Sequence, residues 1–204
     1  MTSESKNDST AMNDMKSTLH GYLRFGRESL LWKLEGLSDY DVRRPLVPTG
    51  TNLLGLVKHV SSVGAGYFGE VFDRPFLEPM PWFDEDAEPN ADLYATADES
   101  REQILGLWER AWAHADATID ALPLDAPGQV PWWGDESEVT LHLILVHMTA
   151  ETHRHAGHAD LVRELIDGNV GLRASNDNLP ETDPEWWSKY HATVQGVANQ
   201  FRTG

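Results

Sequence analysis

The chain has 204 residues, 40% of them hydrophobic, enough to bury one sizeable core. Lysine and arginine number 16 against 33 acidic residues, and the resulting net charge of −17 repels phosphate backbones and anionic membrane surfaces. Nucleic acid is therefore excluded as a partner. No cysteine is present, which removes disulfides, thiolate metal sites and a cysteine nucleophile together. No stretch approaches the length of about 18 apolar residues that a membrane span needs, and residues 1–14 are polar, without a hydrophobic signal segment. A cytoplasmic protein with no membrane contact is expected.

Residues 1–14 are rich in Ser, Thr, Asn, Asp and Lys and read as a disordered leader, with residues 15–204 forming a single domain. From Met15 to Leu37, the spacing of Leu19, Tyr22, Leu23, Leu30, Leu31 and Leu34 predicts an amphipathic helix, which Pro45 and Pro48 close off. Thr51 or Asn52 caps a second helix, whose apolar face is Leu53, Leu56, Val57, Val60, Val63, Tyr67 and Val71. Four prolines, Pro75, Pro79, Pro81 and Pro89, make the following segment an irregular connection. Thr96 and Glu99 fit a capping box for a third helix through Ile104, Leu107, Trp108, Ala111, Ala115 and Ile119. After Pro123, Pro127 and a second connection bearing Trp132 and Trp133, a fourth helix is expected from about Val139 to Asp167, stopped by Gly168. Asp183 and Pro184 are a cap and first-turn proline for a last helix through Trp186, Trp187, Tyr190 and Val194. No segment reads as a strand. The expected fold is all-α, a four-helix bundle with long proline-bearing connections and an extra C-terminal helix.

The fourth helix carries the chemistry. At about 100° per residue, Ile144, His147, Met148, Glu151, His155, His158, Val162 and Leu165 fall within roughly 60° of one line, a stripe expected to be buried. A carboxylate and an imidazole four residues apart on such a stripe need a partner, because an unpaired buried ion costs several kcal/mol or changes its protonation state. A bound metal supplies one. His59, between Leu56, Val60 and Val63, is the best inward imidazole on the second helix. With Glu151 and His155 it makes two histidines and one carboxylate, the pattern of a catalytic zinc site or of a facial triad for iron-like metals, with positions left open. The blander alternatives are a hydrogen-bonded core histidine at 59 and a buried Glu–His pair steadying two helices. His147 and His158 flank the same line as second-shell partners or proton shuttles. Trp132, Trp133 and Trp82 either wall a small-molecule site or anchor loops on the core.

The segments Asn52-Leu53-Leu54-Gly55-Leu56-Val57-Lys58-His59 and Glu151-Thr152-His153-Arg154-His155-Ala156-Gly157-His158-Ala159-Asp160 resemble those of the DinB-like superfamily. The closer similarity is to its actinobacterial branch related to mycothiol-dependent maleylpyruvate isomerase, over residues from Met15 to Phe201. The resemblance implies a metal, usually zinc with Ni2+ or Fe2+ as alternatives, held by His59, Glu151 and His155. It also implies a transferase that uses a low-molecular-weight thiol, mycothiol or bacillithiol, on a small electrophile; a homodimer is a separate expectation. Where this chain has Gly64, members of that branch often carry an acidic residue, so an altered pocket is expected. Two other readings keep the bundle: a metal-dependent hydrolase whose nucleophile is water, and a non-catalytic metal-binding or structural protein.

Overall fold

The computed structural model describes residues 3–202, with side chains over residues 15–202; the disordered leader expected over residues 1–14 lies outside the residues described in full. The first helix, α1, runs Ser3–Leu31 and tightens into a 3-10 turn at Trp32–Leu34. A short α2, Asp39–Arg43, precedes α3, Leu53–Phe68, and α4, Arg101–Ala121. A small antiparallel ribbon, β1 at Pro127–Gln129 and β2 at Glu138–Thr140, leads into α5, Leu141–Asp167; α6 spans Pro184–Asn199. Among the described residues the molecule is an all-α bundle in which α1 packs on α5 while α3 packs on both α4 and α5. No described helix is long and apolar enough to cross a membrane.

Local chemistry sets most of the helix ends. The Asn52 side chain accepts from the Gly55 backbone N–H at 2.8 Å and starts α3. Asp183 does the same for α6 from Trp186, with Pro184 in the first turn, and Gly168 closes α5 in the left-handed conformation at φ 78°. Two expectations are corrected. The capping box of α4 is Ser100 with Gln103, not Thr96 with Glu99. Glu99 does accept from the Thr96 N–H at 2.7 Å, but its carboxylate also binds the buried Lys58 ammonium, and that long-range partner shifts the start of the helix by one turn. The second correction is the ribbon, which takes Val139 into a strand and leaves Thr140 as the cap of α5. Strands of three residues are too short to leave an alternation in the sequence.

The core joins all four bundle helices through residues such as Leu23, Leu30, Val57, Phe68, Trp112, Ile119, Leu145 and Met148. Buried cations tie the helices at their ends. Arg27 on α1 donates to Asp116 on α4 at 2.9 Å and stacks over Trp112. Lys33 is fully buried, with its ammonium 2.5 Å from Asp160 on α5 and donating to the Gly171 carbonyl. Arg163 donates to the carbonyls of Lys33 and Glu35 at 2.7 and 2.8 Å. By contrast α6 buries no residue: Trp186, Trp187, Tyr190, Val194 and Val197 are all exposed, and Trp186 stacks on Tyr190.

Asp116 is the test of these joints. Burial opposes its charge, but the hydrogen bond from His20 and the charge and hydrogen bond of Arg27 outweigh it, holding its pKa below the ordinary value. A depressed carboxylate pKa contributes stability above the unfolded-state value, near 3.9, and loses it as pH falls through the lower folded-state value. Asp116→Asn leaves Arg27 buried without a counter-ion and is expected to cost about 2 to 3 kcal/mol at neutral pH. Denaturant titrations of both proteins should show the difference shrinking only below about pH 4.

Candidate metal centre

The inner face of α5 is rotated from the stripe expected. Ile144, Met148 and Val162 are buried as expected, but the centre of the face runs through Leu141, Leu145, Thr152, Ala156 and Ala159. Leu165 is 65% exposed and His158 is at the surface. The reason is α1, which packs along α5 and buries the Thr152 side; Gly26 lets it approach His153 and Thr152. Glu151 and His155 consequently sit on the edge of the buried face that borders α3, both half-buried, with His155 lining an open cavity.

There the two helices bring three side chains together. One ligand atom each from His59, Glu151 and His155 lies within 4.8 Å of the others. A single carboxylate oxygen, Glu151 Oε1, stands 2.9 Å from His155 Nε2 and 3.5 Å from His59 Nε2. The opposite nitrogen of His59, Nδ1, is 2.5 Å from Asp92 Oδ2, which comes from a 3-10 turn at Ala91–Leu93 in the connection between α3 and α4. Sequence reading missed Asp92, because nothing in a proline-rich connection marks one acid among many as the one that folds back.

The electrostatics favour the ligand-ready forms. Burial opposes ionisation of Glu151, but hydrogen bonds and charge from His155 and His59 outweigh it and hold its pKa low. Burial, and then the proximity of His59, keep the His155 pKa below the ordinary imidazole value against the pull of Glu151. Burial likewise opposes the charge on Asp92, and the hydrogen bond and charge of His59 overcome it. With Nδ1–H donating to Asp92, a neutral His59 aims its Nε2 lone pair at Glu151 Oε1. Two acceptors facing each other across 3.5 Å need a cation between them, either a second ring proton or a metal ion. Among the described residues the buried His155 Nδ1 finds no hydrogen-bond partner, so there the cluster does not close as a network of protein hydrogen bonds alone. Donors in a tetrahedral zinc site lie about 3.4 Å apart, given bonds of about 2.0 to 2.2 Å, and the two Glu151–imidazole spacings, 2.9 and 3.5 Å, lie on either side of that. The residues present fit a divalent metal with open coordination positions.

A sequence model described as Mycothiol-S-transferase matches residues 18–168. The chain belongs to the mycothiol S-transferase family. This is a DinB-like actinobacterial family related to mycothiol enzymes, and the match spans α1 to the end of α5 and so includes the three converging residues. No curated protein and no solved structure gives a significant match.

The other residues singled out in this mycothiol S-transferase family member divide by position. His147, one turn before Glu151, packs on Tyr67 and Trp133 with ring centroids 4.8 and 5.0 Å away; burial keeps its pKa below the ordinary value, opposed by the Glu151 charge. The exposed His158 ring lies 5.4 Å from that of His155. Trp133 and Trp132 both donate to the Tyr67 hydroxyl, at 3.0 and 3.3 Å, but only Trp132 is half-exposed over the groove. Trp82 donates to Ser62 Oγ and carries the Lys58 ammonium over its ring, as a loop anchor does. The altered pocket expected from Gly64 is not found, because a Cβ there would meet the Trp112 indole at 2.8 Å. That position belongs to the α3–α4 packing and not to the groove.

Two measurements address the centre. Glu151→Gln keeps the side-chain volume and removes the anionic donor, so metal content after dialysis against a weak chelator should fall to background while the metal-free protein unfolds within about 1 kcal/mol of wild type. Equal metal in both proteins would remove Glu151 from the ligand set. Asp92→Asn should lower metal affinity roughly tenfold in competition with a chromophoric chelator, since it weakens the group that orients His59 without touching a donor atom.

Proposed function

We propose that the protein is a divalent-metal-dependent S-transferase that joins mycothiol to a small electrophile. The observation that carries the reading is the convergence of His59, Glu151 and His155 beside the cavity that His155 lines, in a member of the mycothiol S-transferase family whose chain contains no cysteine. Zinc suits two imidazoles and one carboxylate with open positions. A divalent ion held there supplies a Lewis-acidic position at which a thiol loses its proton near neutral pH.

The chain's residues account for the remaining requirements. Asp92 holds His59 in the tautomer that leaves Nε2 free, and burial keeps His155 neutral. This reading assigns the thiol proton to His147, whose burial keeps its pKa below the ordinary value, or to the exposed His158, which would pass it to water. The sulfur forms a bond to the electrophilic carbon, and the leaving group departs with the electron pair of the bond it held. This reading puts the protein in the cytoplasm, where low-molecular-weight thiols are kept reduced.

The test is thiol dependence. The zinc-loaded protein should consume an electrophile such as chlorodinitrobenzene above the uncatalysed rate only when mycothiol is added, and His59→Ala or His155→Ala should return the rate to background. Turnover at the same rate without thiol would replace this reading with a hydrolase in which water attacks.

A further inference from the structure

Two apolar helix faces are left uncovered among the described residues, and each suits the other. The first belongs to α6, which lies beyond the segment that matches the family. Its side chains Trp187, Tyr190, Val194 and Val197, with Phe201 in the turn that follows, succeed one another at spacings of 3, 4, 3 and 4, the rhythm of a seam made against a second helix. All five are exposed, from 36% for Trp187 to 77% for Phe201. A helix of 16 residues with no packed face is marginal in water, so α6 needs a surface to lie on.

The second face is the outer side of α5, turned away from the core. At about 100° per residue, Leu143, Val146, Ala150, Gly157, Leu161 and Leu165 fall within roughly 50° of one line. All six are exposed, the four larger ones by 45 to 65%. A continuous apolar stripe left open to water marks an interaction surface. Gly157 agrees with that: nothing lies within 4 Å of a Cβ built there, so no contact among the described residues requires glycine in the middle of a long helix, where alanine is more stable. With Ala150 it leaves room for another helix to approach closely.

The segment between the two helices is fixed at its root on α1. Lys33 donates to the Gly171 carbonyl, Trp32 Nε1 donates to the Leu172 carbonyl at 3.1 Å, and the Arg173 guanidinium lies 4.2 Å over the Phe25 ring. Arg173 and Asn176 then close a tight turn, in which Gly171 is packed against Asp177. The chain therefore leaves α5 across α1, and α6 follows as an arm that leaves both its own seam and the α5 stripe open.

We infer that a second copy of this chain covers both faces: the α6 of each copy lies along the outer face of the other's α5. Area decides for this exchange. The five α6 side chains expose roughly 500 Å2 between them, taking about 150 to 250 Å2 for a whole aromatic side chain, and the α5 stripe exposes roughly 400 Å2. Pairing α6 with α6 alone would hide about 1,000 Å2, short of the roughly 1,200 to 2,000 Å2 of a stable specific interface, whereas two reciprocal contacts hide about 1,800 Å2. Charge agrees. Of the two charged residues that share the stripe, Glu164 lies at its edge and Arg154 in its middle; Arg154 makes no ion pair among the described residues, and Glu181 and Glu185 bring acids to the start of α6. A membrane surface suits α6 less well, since Lys189 is its one Lys or Arg in a chain of net charge −17.

The experiment is sedimentation velocity on the full chain at about 10 μM, with wild type and two variants, Val194→Glu on α6 and Leu161→Glu on α5. Both positions are exposed, so the far-UV circular dichroism of the bundle should stay as in wild type. Wild type should run at twice the 22.9 kDa of one chain, and each variant should raise the dimer dissociation constant roughly tenfold or more, because each drives a carboxylate into the apolar contact. The chain has no cysteine, which permits a second readout: Val194→Cys in one chain and Leu161→Cys in another, mixed and treated with a bifunctional maleimide, should be joined chiefly as unlike pairs. A monomeric wild type would overturn the inference. So would a dimer that survives Leu161→Glu, or cross-links chiefly between two Val194→Cys chains, since either result puts α6 on a surface other than α5.

Discussion

A single buried ammonium holds the site together. Lys58 on α3 is almost wholly excluded from solvent, and it donates to the carbonyls of Ala91 and Tyr94 at 3.1 Å each and to the Glu99 carboxylate at 2.9 Å. Those three partners bracket the 3-10 turn that carries Asp92, so the same contact that satisfies the lysine lays the proline-rich connection against α3 one residue from His59. Gly55 makes the close approach physically allowed, since a Cβ there would stand 1.9 Å from the Leu93 carbonyl oxygen. Charge, loop and imidazole tautomer are thus one structural unit, and the cost of burying Lys58 is offset by groups that also build the centre.

The centre itself depends on an edge. Had Glu151 and His155 lain in the middle of the buried face of α5, they would face Leu and Met and be closed to any substrate. Placed where α5 borders α3, they are dry enough for burial to hold His155 neutral, yet open to a groove. One carboxylate oxygen faces a nitrogen of each of two imidazoles, an arrangement that a ring proton or a divalent cation between them would satisfy.

The chain is strongly acidic, yet its buried charges are led by cations: Arg27, Lys33, Lys58 and Arg163 are each nearly excluded from solvent. Each reaches an acid or a carbonyl on another element, or, as Arg163 does, both a neighbouring carbonyl and its own helix's Asp167. Acids are in excess, so every buried cation finds a partner, while the surplus carboxylates stay at the surface, where their mutual repulsion is screened. The helices α1, α3 and α5 are joined to the rest of the bundle by these contacts at their ends and by apolar packing between.

What the sequence by itself determined were the five long helices, though not the short α2, their caps at Asn52, Asp183 and Gly168, and the three candidate ligands. Each of these is written in a local period or a local hydrogen bond: His59 follows from the face of one helix, and Glu151 with His155 from a spacing of four. Tertiary structure decided the rest. It rotated the buried face of α5, because the approach of α1 along Gly26 chooses which side is covered. It moved the start of α4 from Thr96 to Ser100, because Glu99 was drawn to Lys58. It placed Gly64 against Trp112, sorted the three tryptophans into one groove wall and two anchors, and brought Asp92 to His59 across 33 positions of chain. Periodicity reports which face of a helix is apolar, but which loop carboxylate returns to that face is settled only when a buried charge elsewhere on the helix must be satisfied.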